Sequence, residues 1–214
     1  MSRILLTLFS FSVFGFTLFG QDTLLVMNKG FECNIKDTRN FQDLKYWYDC
    51  HFFARRSPPD INFKYSTLWN NTIDPIEGNS YVSMVIRDDG TYEGIYQKLV
   101  NPLKKGETYK FSIMLCTSPL YESPINSDIR NVYSFNGPIV LEVFGQDEKT
   151  EEYIFLDTTG EIKNHIWKEY TLSFKPNQDY DILLLRAYYT DESHPVNGNL
   201  LMDDMSDIYR IPAQ

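Results

Sequence analysis

The chain has 214 residues, 43% hydrophobic and 23% charged, a balance that fits one ordinary globular domain and excludes disordered or collagen-like structure. Its 20 Lys and Arg against 29 Asp and Glu give a formal charge of −9, which argues against nucleic acid or an anionic membrane as partner, since both call for a basic stripe. The unusual feature is an aromatic share of 15%, from 15 Phe, 15 Tyr and 3 Trp.

At the start, Arg3 precedes an uncharged run from Ile4 to Gly20, the charged head and apolar middle of a secretory signal peptide. A retained anchor helix is the alternative, for which about 20 apolar residues are typical. Thr7, Ser10, Ser12 and Thr17 dilute the run, and polar Gln21 and Asp22 follow at once. The expected organisation is a signal peptide at 1–20, cleaved after Gly20, and a single domain at 21–214. Leu18 fits the small-residue rule for cleavage poorly. Cleavage removes only Arg3 among charged residues and takes the formal charge to −10. The expected location is the periplasm, the outer envelope or the medium. Of the three cysteines, Cys33, Cys50 and Cys116, an exported chain can bridge two. Cys33 with Cys50 is the economical pair, although spacing alone leaves the pairing open. Cys116 lies in the strand-like run YKFSIMLC, where a thiol behaves as a small hydrophobe.

Beyond the signal, period-two alternation broken by turn residues predicts strands. They fall at Thr23 to Met27, Ser80 to Arg87, Glu93 to Leu99, Thr108 to Cys116, Ile139 to Phe144, Tyr153 to Asp157, Trp167 to Phe174, Tyr180 to Tyr189 and Leu200 to Met205. Asp89-Gly90, Lys105-Gly106, Thr159-Gly160 and Asn197-Gly198 supply reversals. Around Tyr109, the phase Tyr109, Phe111, Ile113, Leu115 is committed to a core. The consecutive apolar run Ile182 to Leu185 suits a strand covered on both faces. So many short antiparallel strands predict an all-β jelly-roll sandwich, with a closed barrel as the alternative. Two stretches, Glu32 to Asn79 and Thr117 to Asn136, do not read as strands, and loops this long are usually functional.

No G-x-S-x-G, H-E-x-x-H or G-x-x-x-x-G-K-[ST] motif occurs. His51, His165 and His194 stand far apart in sequence, and a surface or turn role is the favoured reading for each. Some pair of carboxylates is inevitable among so many acids, so a glycosidase is not identified that way. The arresting pattern joins the ends of the domain: LLVMNKGFE from Leu24 and LLMDDM from Leu200 both set carboxylates beside strands. An apolar strand ending in an Asp pair risks burying a charge. A calcium ion would answer that, because it accepts carboxylate and carbonyl oxygens from loops and strand ends. The plainer alternative has the Asp facing solvent and Glu32 paired with a lysine. A pyranose offers an apolar face and a polar rim, so sugar recognition calls for flat aromatics beside hydrogen-bonding side chains. The candidates are Trp69, Tyr92, Tyr96, Tyr121, Tyr133 and Tyr188, with Arg87, Gln97 and Arg186 as polar neighbours. Trp167 reads as core.

Taken in order, LLVMNKGFE, Trp47, EGNSYVSM at 77–84, YQKLVNPLKKGETYKFSIML at 96–115, WKEYTLSF at 167–174 and LLMDDMS at 200–206 resemble carbohydrate-binding modules with a galactose-binding-like β-sandwich. The likeness is closer still to the N-terminal modules of exported Bacteroidetes cell-envelope proteins of the OmpA type, where an NGSFE opening and a Q-x-x-L-x-x-P-L-x-x-G-x-x-Y phrase recur. The resemblance implies a structural calcium held by oxygens of Gly30, Glu32 and Asp203, with Asp204 as the alternate and Glu77 and Ser80 as a middle contribution. Lys29 departs from the small residue common there. It also implies a non-catalytic, exported glycan-binding module at the cell envelope, its partner a glycan or envelope polymer. The alternative is a structural or assembly protein of the outer envelope that uses the sandwich as a protein-protein surface. A glycoside-processing enzyme ranks last.

Overall fold

Alternation along Thr108–Cys116 and the two-sided apolar run in Tyr180–Tyr189 become the central strands of two facing sheets. The computed structural model describes residues 23–34, 44–50, 58–124, 131–150 and 152–212; the expected signal peptide, His51 and the start of the RRSPP bend lie outside them. In chain order the strands are β1 Thr23–Leu24, β2 Tyr48–Asp49, β3 Asp60–Phe63, β4 Ser80–Ile86, β5 Gly94–Leu103, β6 Thr108–Cys116, β7 Glu122–Pro124, β8 Val132–Ser134, β9 Ile139–Gln146, β10 Tyr153–Thr158, β11 Lys168–Phe174, β12 Tyr180–Tyr189, β13 Gly198–Asp203 and β14 Ile208–Ile211. No α-helix occurs among the described residues, only a 3-10 turn at Leu68–Asn70.

One sheet has seven strands in the order β1-β14-β6-β13-β4-β3, with β11 on the other side of β6; the second has five in the order β10-β9-β12-β5-β2; β7 and β8 form a separate hairpin. The open edges at β3 and β10 make this a jelly-roll sandwich and rule out the closed barrel. The expected strands appear with shifted ends, except that the first stops early because residues 27–30 turn. The short strands β2, β3, β7, β8 and β14 escaped the sequence pattern, since two to four residues carry too little alternation to register.

Between the sheets pack Val82, Met84 and Ile86 of β4, Phe111, Ile113 and Leu115 of β6, Leu141 and Val143 of β9, Leu183 and Leu185 of β12, and Leu200 and Met202 of β13, all fully or nearly fully buried. Each such side chain contributes about 1.5–3 kcal/mol by leaving water. Trp47 closes one end against Phe31, ring centroids 5.2 Å apart, and its indole N–H donates to Asn28 O at 3.1 Å. Gly106 takes φ +78° in the β5–β6 turn, and its N–H donates to Pro176 O.

A second apolar layer covers the outer face of the seven-stranded sheet: Tyr81, Val85, Cys116, Tyr121, Phe135 and Leu201, joined by Trp69, Ile73 and Trp167. Trp167 therefore leaves the main core. Its ring meets Tyr81 edge-on at 5.3 Å and its N–H donates to Asp74 O at 2.8 Å. Much of the two long irregular stretches serves as a lid on this sheet. The expected Cys33–Cys50 disulfide is not formed in this structure. Cys33 follows the opening turn and packs on the inter-sheet core, while Cys50 is buried with Phe144 and Leu184 on the far face of the five-stranded sheet. Cys116 is fully buried, and burial pushes its thiol pKa up.

Candidate functional site

The outer face of the five-stranded sheet assembles an aromatic rung from five different strands. In register, Phe155 of β10 stands opposite Phe144 of β9, Phe144 opposite Leu184 of β12, Leu184 opposite Tyr96 of β5, and Tyr96 opposite Tyr48 of β2. Directly paired residues of antiparallel strands share a face, so these side chains form one line across the strands, about 19 Å long at ordinary strand spacing. The line is buried at its middle, Phe144 at 6% and Leu184 at 1% exposure, and open at its ends, Phe155 at 50% and Tyr48 at 54%. Tyr48 and Tyr96 lie 5.4 Å apart with planes inclined by 31°. Phe155 and Tyr153 meet Phe144 edge-on.

The neighbouring rung is polar. Arg186 of β12 pairs in register with Glu142 of β9, and both its Nε, at 2.7 Å, and its Nη2 donate to Glu142 Oε2. The guanidinium lies over Tyr188 at 3.8 Å, Phe144 at 4.6 Å and Tyr92 at 5.0 Å from the ring centroids, a cation–π cage. Burial raises the Tyr92 and Tyr96 hydroxyl pKa values. Tyr188 donates to Glu192 Oε1. On the other flank Lys98 forms an ion pair with Glu148.

The face thus brings Tyr92, Tyr96, Tyr188 and Arg186 together and adds Tyr48, Phe144, Tyr153, Phe155 and Glu142, which sequence reasoning missed. Their signal is cross-strand register, which no single strand's pattern contains. The other candidates lie elsewhere. Gln97 is buried, its Oε1 accepting from Met27 N at 2.7 Å and its Nε2 donating to Met27 O at 2.8 Å, so it ties the opening segment to β5. Arg87 is buried in an ion pair with Glu93. Trp69 donates to Asp60 Oδ2 at 2.7 Å and Tyr121 to the same oxygen at 3.2 Å, with Ser83 Oγ 3.1 Å from the Tyr121 hydroxyl. These polar contacts anchor the lid of the other sheet. Burial raises the Asp60 pKa and drives that of Tyr121 well up. Tyr133 is exposed on the β7–β8 hairpin.

The two ends of the domain do meet. Asp203, with no exposure, accepts Ile76 N at 2.9 Å and Glu77 N at 3.4 Å on Oδ2, and Asp204 N at 2.8 Å on Oδ1. Both carboxylate oxygens of Glu32 accept Asn79 N at 3.0 and 3.1 Å. Burial, augmented by the charge of Glu32, pushes the Asp203 pKa up to about 7. A Cβ at Gly78, where φ is +64°, would fall 1.8 Å from Glu32 Oε1, so the loop is moulded around that carboxylate. Lys29 forms an ion pair with Asp207 at 2.9 Å. Asp204 is exposed in a left-handed conformation. Ser80 is engaged in the turn, its Oγ donating to Phe31 O and accepting from Cys33 N, and Gly30 packs beside the Glu32 stem. No group of three or more His, Cys, Asp or Glu that could hold a metal occurs among the described residues. A cation here would thus draw on the Glu32 and Asp203 carboxylates and complete its shell with carbonyl or water oxygens, a set that calcium accepts.

Two further features bear on chemistry. Asp191, Ser193 and His194 gather hydrolase residue types in one turn, but His194 Nδ1 contacts both Ser193 Oγ and Asp191 Oδ2 at 2.9 Å. A catalytic relay requires the two ring nitrogens to divide those partners. A cavity of about 420 Å³ opens between Thr117, Gly137, Glu161, Lys163 and His165, with no Phe, Tyr or Trp in its lining. Among the described residues no helix is long and apolar enough to cross a membrane.

No protein-family model and no curated protein matches the chain. Solved structures do. The chain is similar to an arabinose-bound α-L-arabinofuranosidase, MgGH51, at 13% identity over 89% of this chain and 27% of that one, TM-score 0.53. It is similar also to the CBM22-1–CBM22-2 tandem domain of Paenibacillus barcinonensis Xyn10C, at 13% identity over 90% of this chain and 47% of that one, TM-score 0.50. The fold is carbohydrate-binding-module-like. The chain spans about a quarter and about half of these two structures, and the likeness is one of fold.

Proposed function

We propose that the chain is a non-catalytic glycan-binding module of an exported cell-envelope protein, and that the outer face of the five-stranded sheet is its binding platform. The observation that carries this reading is the aromatic rung from Tyr48 to Phe155, exposed at both ends and flanked by hydrogen-bonding groups. It offers stacking surface for apolar sugar faces and polar partners for hydroxyls. Its reach matches an extended segment of roughly three to four sugar rings laid across strands spaced by about 4.8 Å. Similarity of fold to a carbohydrate-binding tandem supports the same reading.

The reading includes a structural calcium at Glu32 and Asp203. Bound there, the ion would supply positive charge to the two carboxylates and tie β13 to the opening turn and to residues 76–79. Its role is stability, as an ion that binds only the folded state raises the melting midpoint.

A glycan array and affinity electrophoresis of the purified protein test the function. Binding of an extended glycan, weakened in Tyr48→Ala and Phe155→Ala while their melting temperatures hold, supports the proposal. Uniform silence overturns it and transfers the face to a protein partner in the envelope.

A further inference from the structure

We propose that this platform selects uncharged glycan chains, and that Glu142 is the residue that sets the selectivity by holding the guanidinium of Arg186. The inference rests on the glycan-binding reading and names its ligand class.

Arginine is the side chain best suited to a uronate, because its planar fork of donors matches a carboxylate and never loses its charge. On this face the fork is committed to a protein carboxylate: Nε and Nη2 of Arg186 both converge on Glu142 Oε2. The pair is mostly withdrawn from solvent, with side-chain exposures of 12% and 15%, so screening by water and salt is reduced. The stack of Tyr188, Phe144 and Tyr92 around the guanidinium fixes its plane, which leaves little freedom to swing toward a second anion. Lys98, on the other flank of the aromatic rung, is likewise paired, with Glu148.

What remains is an acceptor surface. Glu142 Oε1 lies outside the pair with Arg186, and Glu192 borders the site through Tyr188. A sugar hydroxyl can donate to such oxygens; the ionised carboxylate that a uronate carries in place of its C6 hydroxyl has no proton to give them. A uronate drawn to Arg186 would stand beside Glu142, and like charges set close together in a partly desolvated site repel strongly. The chain's overall charge of −9 adds long-range repulsion of a polyanion. A neutral chain meets none of these costs and keeps the stacking surfaces of the aromatic rung.

The experiment titrates the full-length purified protein with a panel of neutral polysaccharides, including arabinoxylan and β-1,4-galactan, and with polygalacturonate, in low and moderate salt. Binding to at least one neutral chain with polygalacturonate at least about tenfold weaker is the expected result. Glu142→Gln should then raise polygalacturonate affinity about fivefold or more, most at low salt, and narrow the ratio between neutral and acidic chains. Arg186→Gln should produce no such gain. Equal or tighter binding of polygalacturonate by the wild type overturns the selectivity while glycan binding stands, and needs no variant to be read. Unchanged polygalacturonate affinity in a folded Glu142→Gln overturns the role of Glu142. Silence toward both classes overturns the glycan reading, and the selectivity falls with it.

Discussion

The two outer faces of the sandwich use the same residue types to opposite ends. On the seven-stranded sheet, Tyr81, Tyr121, Trp69 and Trp167 turn their polar atoms to protein partners: Tyr81 donates to Ile73 O at 2.7 Å, Trp69 and Tyr121 to Asp60, and Trp167 to Asp74 O. On the five-stranded sheet, Tyr48 and Phe155 stand half exposed at the ends of a line whose middle is buried. On the first face the satisfied N–H and O–H groups fasten a lid; on the second the rings kept in solvent leave apolar area uncovered. Aromatic content alone says nothing about which task a ring performs. Coverage by the long loops decides it.

The sharpest way to break the contrast is to truncate one ring on each face. Tyr121→Ala should cost about 3–5 kcal/mol of stability, the range for losing a large buried aromatic, and leave glycan affinity of the folded fraction unchanged. Chemical denaturation paired with a binding titration checks both halves. A binding defect in that variant would move the ligand to the other face.

The next effect concerns the join between the opening turn and β13. With chelator present, Asp203 carries its folded-state pKa raised to about 7 from an ordinary 3.8. The native state then holds a proton that the unfolded chain releases, so the stabilisation contributed by Asp203 is fully present below about pH 4. That contribution falls by a few kcal/mol as pH climbs to 7 and is flat beyond. Calcium should suppress the fall, and Asp203→Asn should remove it. Melting curves at stepped pH with and without calcium provide the measurement; an identical slope in Asp203→Asn would sink the assignment.

A smaller effect is expected at the open face. Tyr48→Ala should weaken glycan binding by about 1–2 kcal/mol, in the range of aromatic anchors, while stability moves by less than about 0.5 kcal/mol because the ring is half in solvent. The smallest belongs to the Asp191 turn. Ser193→Ala should leave binding and melting unchanged, and hydrolysis of chromogenic glycosides and esters should stay at background in wild type and variant alike.

Much of this architecture is written locally. The alternation of Tyr109, Phe111, Ile113 and Leu115 and the run Ile182 to Leu185 name the inner faces of the sheets, because a period of two is a property of a single strand. The burial of Asp203 at the end of an apolar strand was a risk visible in the sequence; its solution, the backbone N–H groups of Ile76, Glu77 and Asp204, was not. The aromatic rung was only half legible. Tyr96, Tyr92, Tyr188 and Arg186 were identifiable as residue types, but Tyr48, Phe144 and Phe155 join them solely through the register of β2, β9 and β10 against their neighbours. Gln97 and Tyr121 misled for the complementary reason: a polar or aromatic side chain on a strand looks the same in sequence whether it reaches for a sugar or for Met27 and Asp60.

The pairing of β1 with β14, Thr23 opposite Tyr209 and Leu24 opposite Ile208, has a mechanical side. It brings the beginning and the end of the described fold to one border of the seven-stranded sheet, away from the aromatic face of the other sheet. Tension drawn between the two ends would load this two-rung ladder first and peel it open before reaching the pairing of β14 with β6.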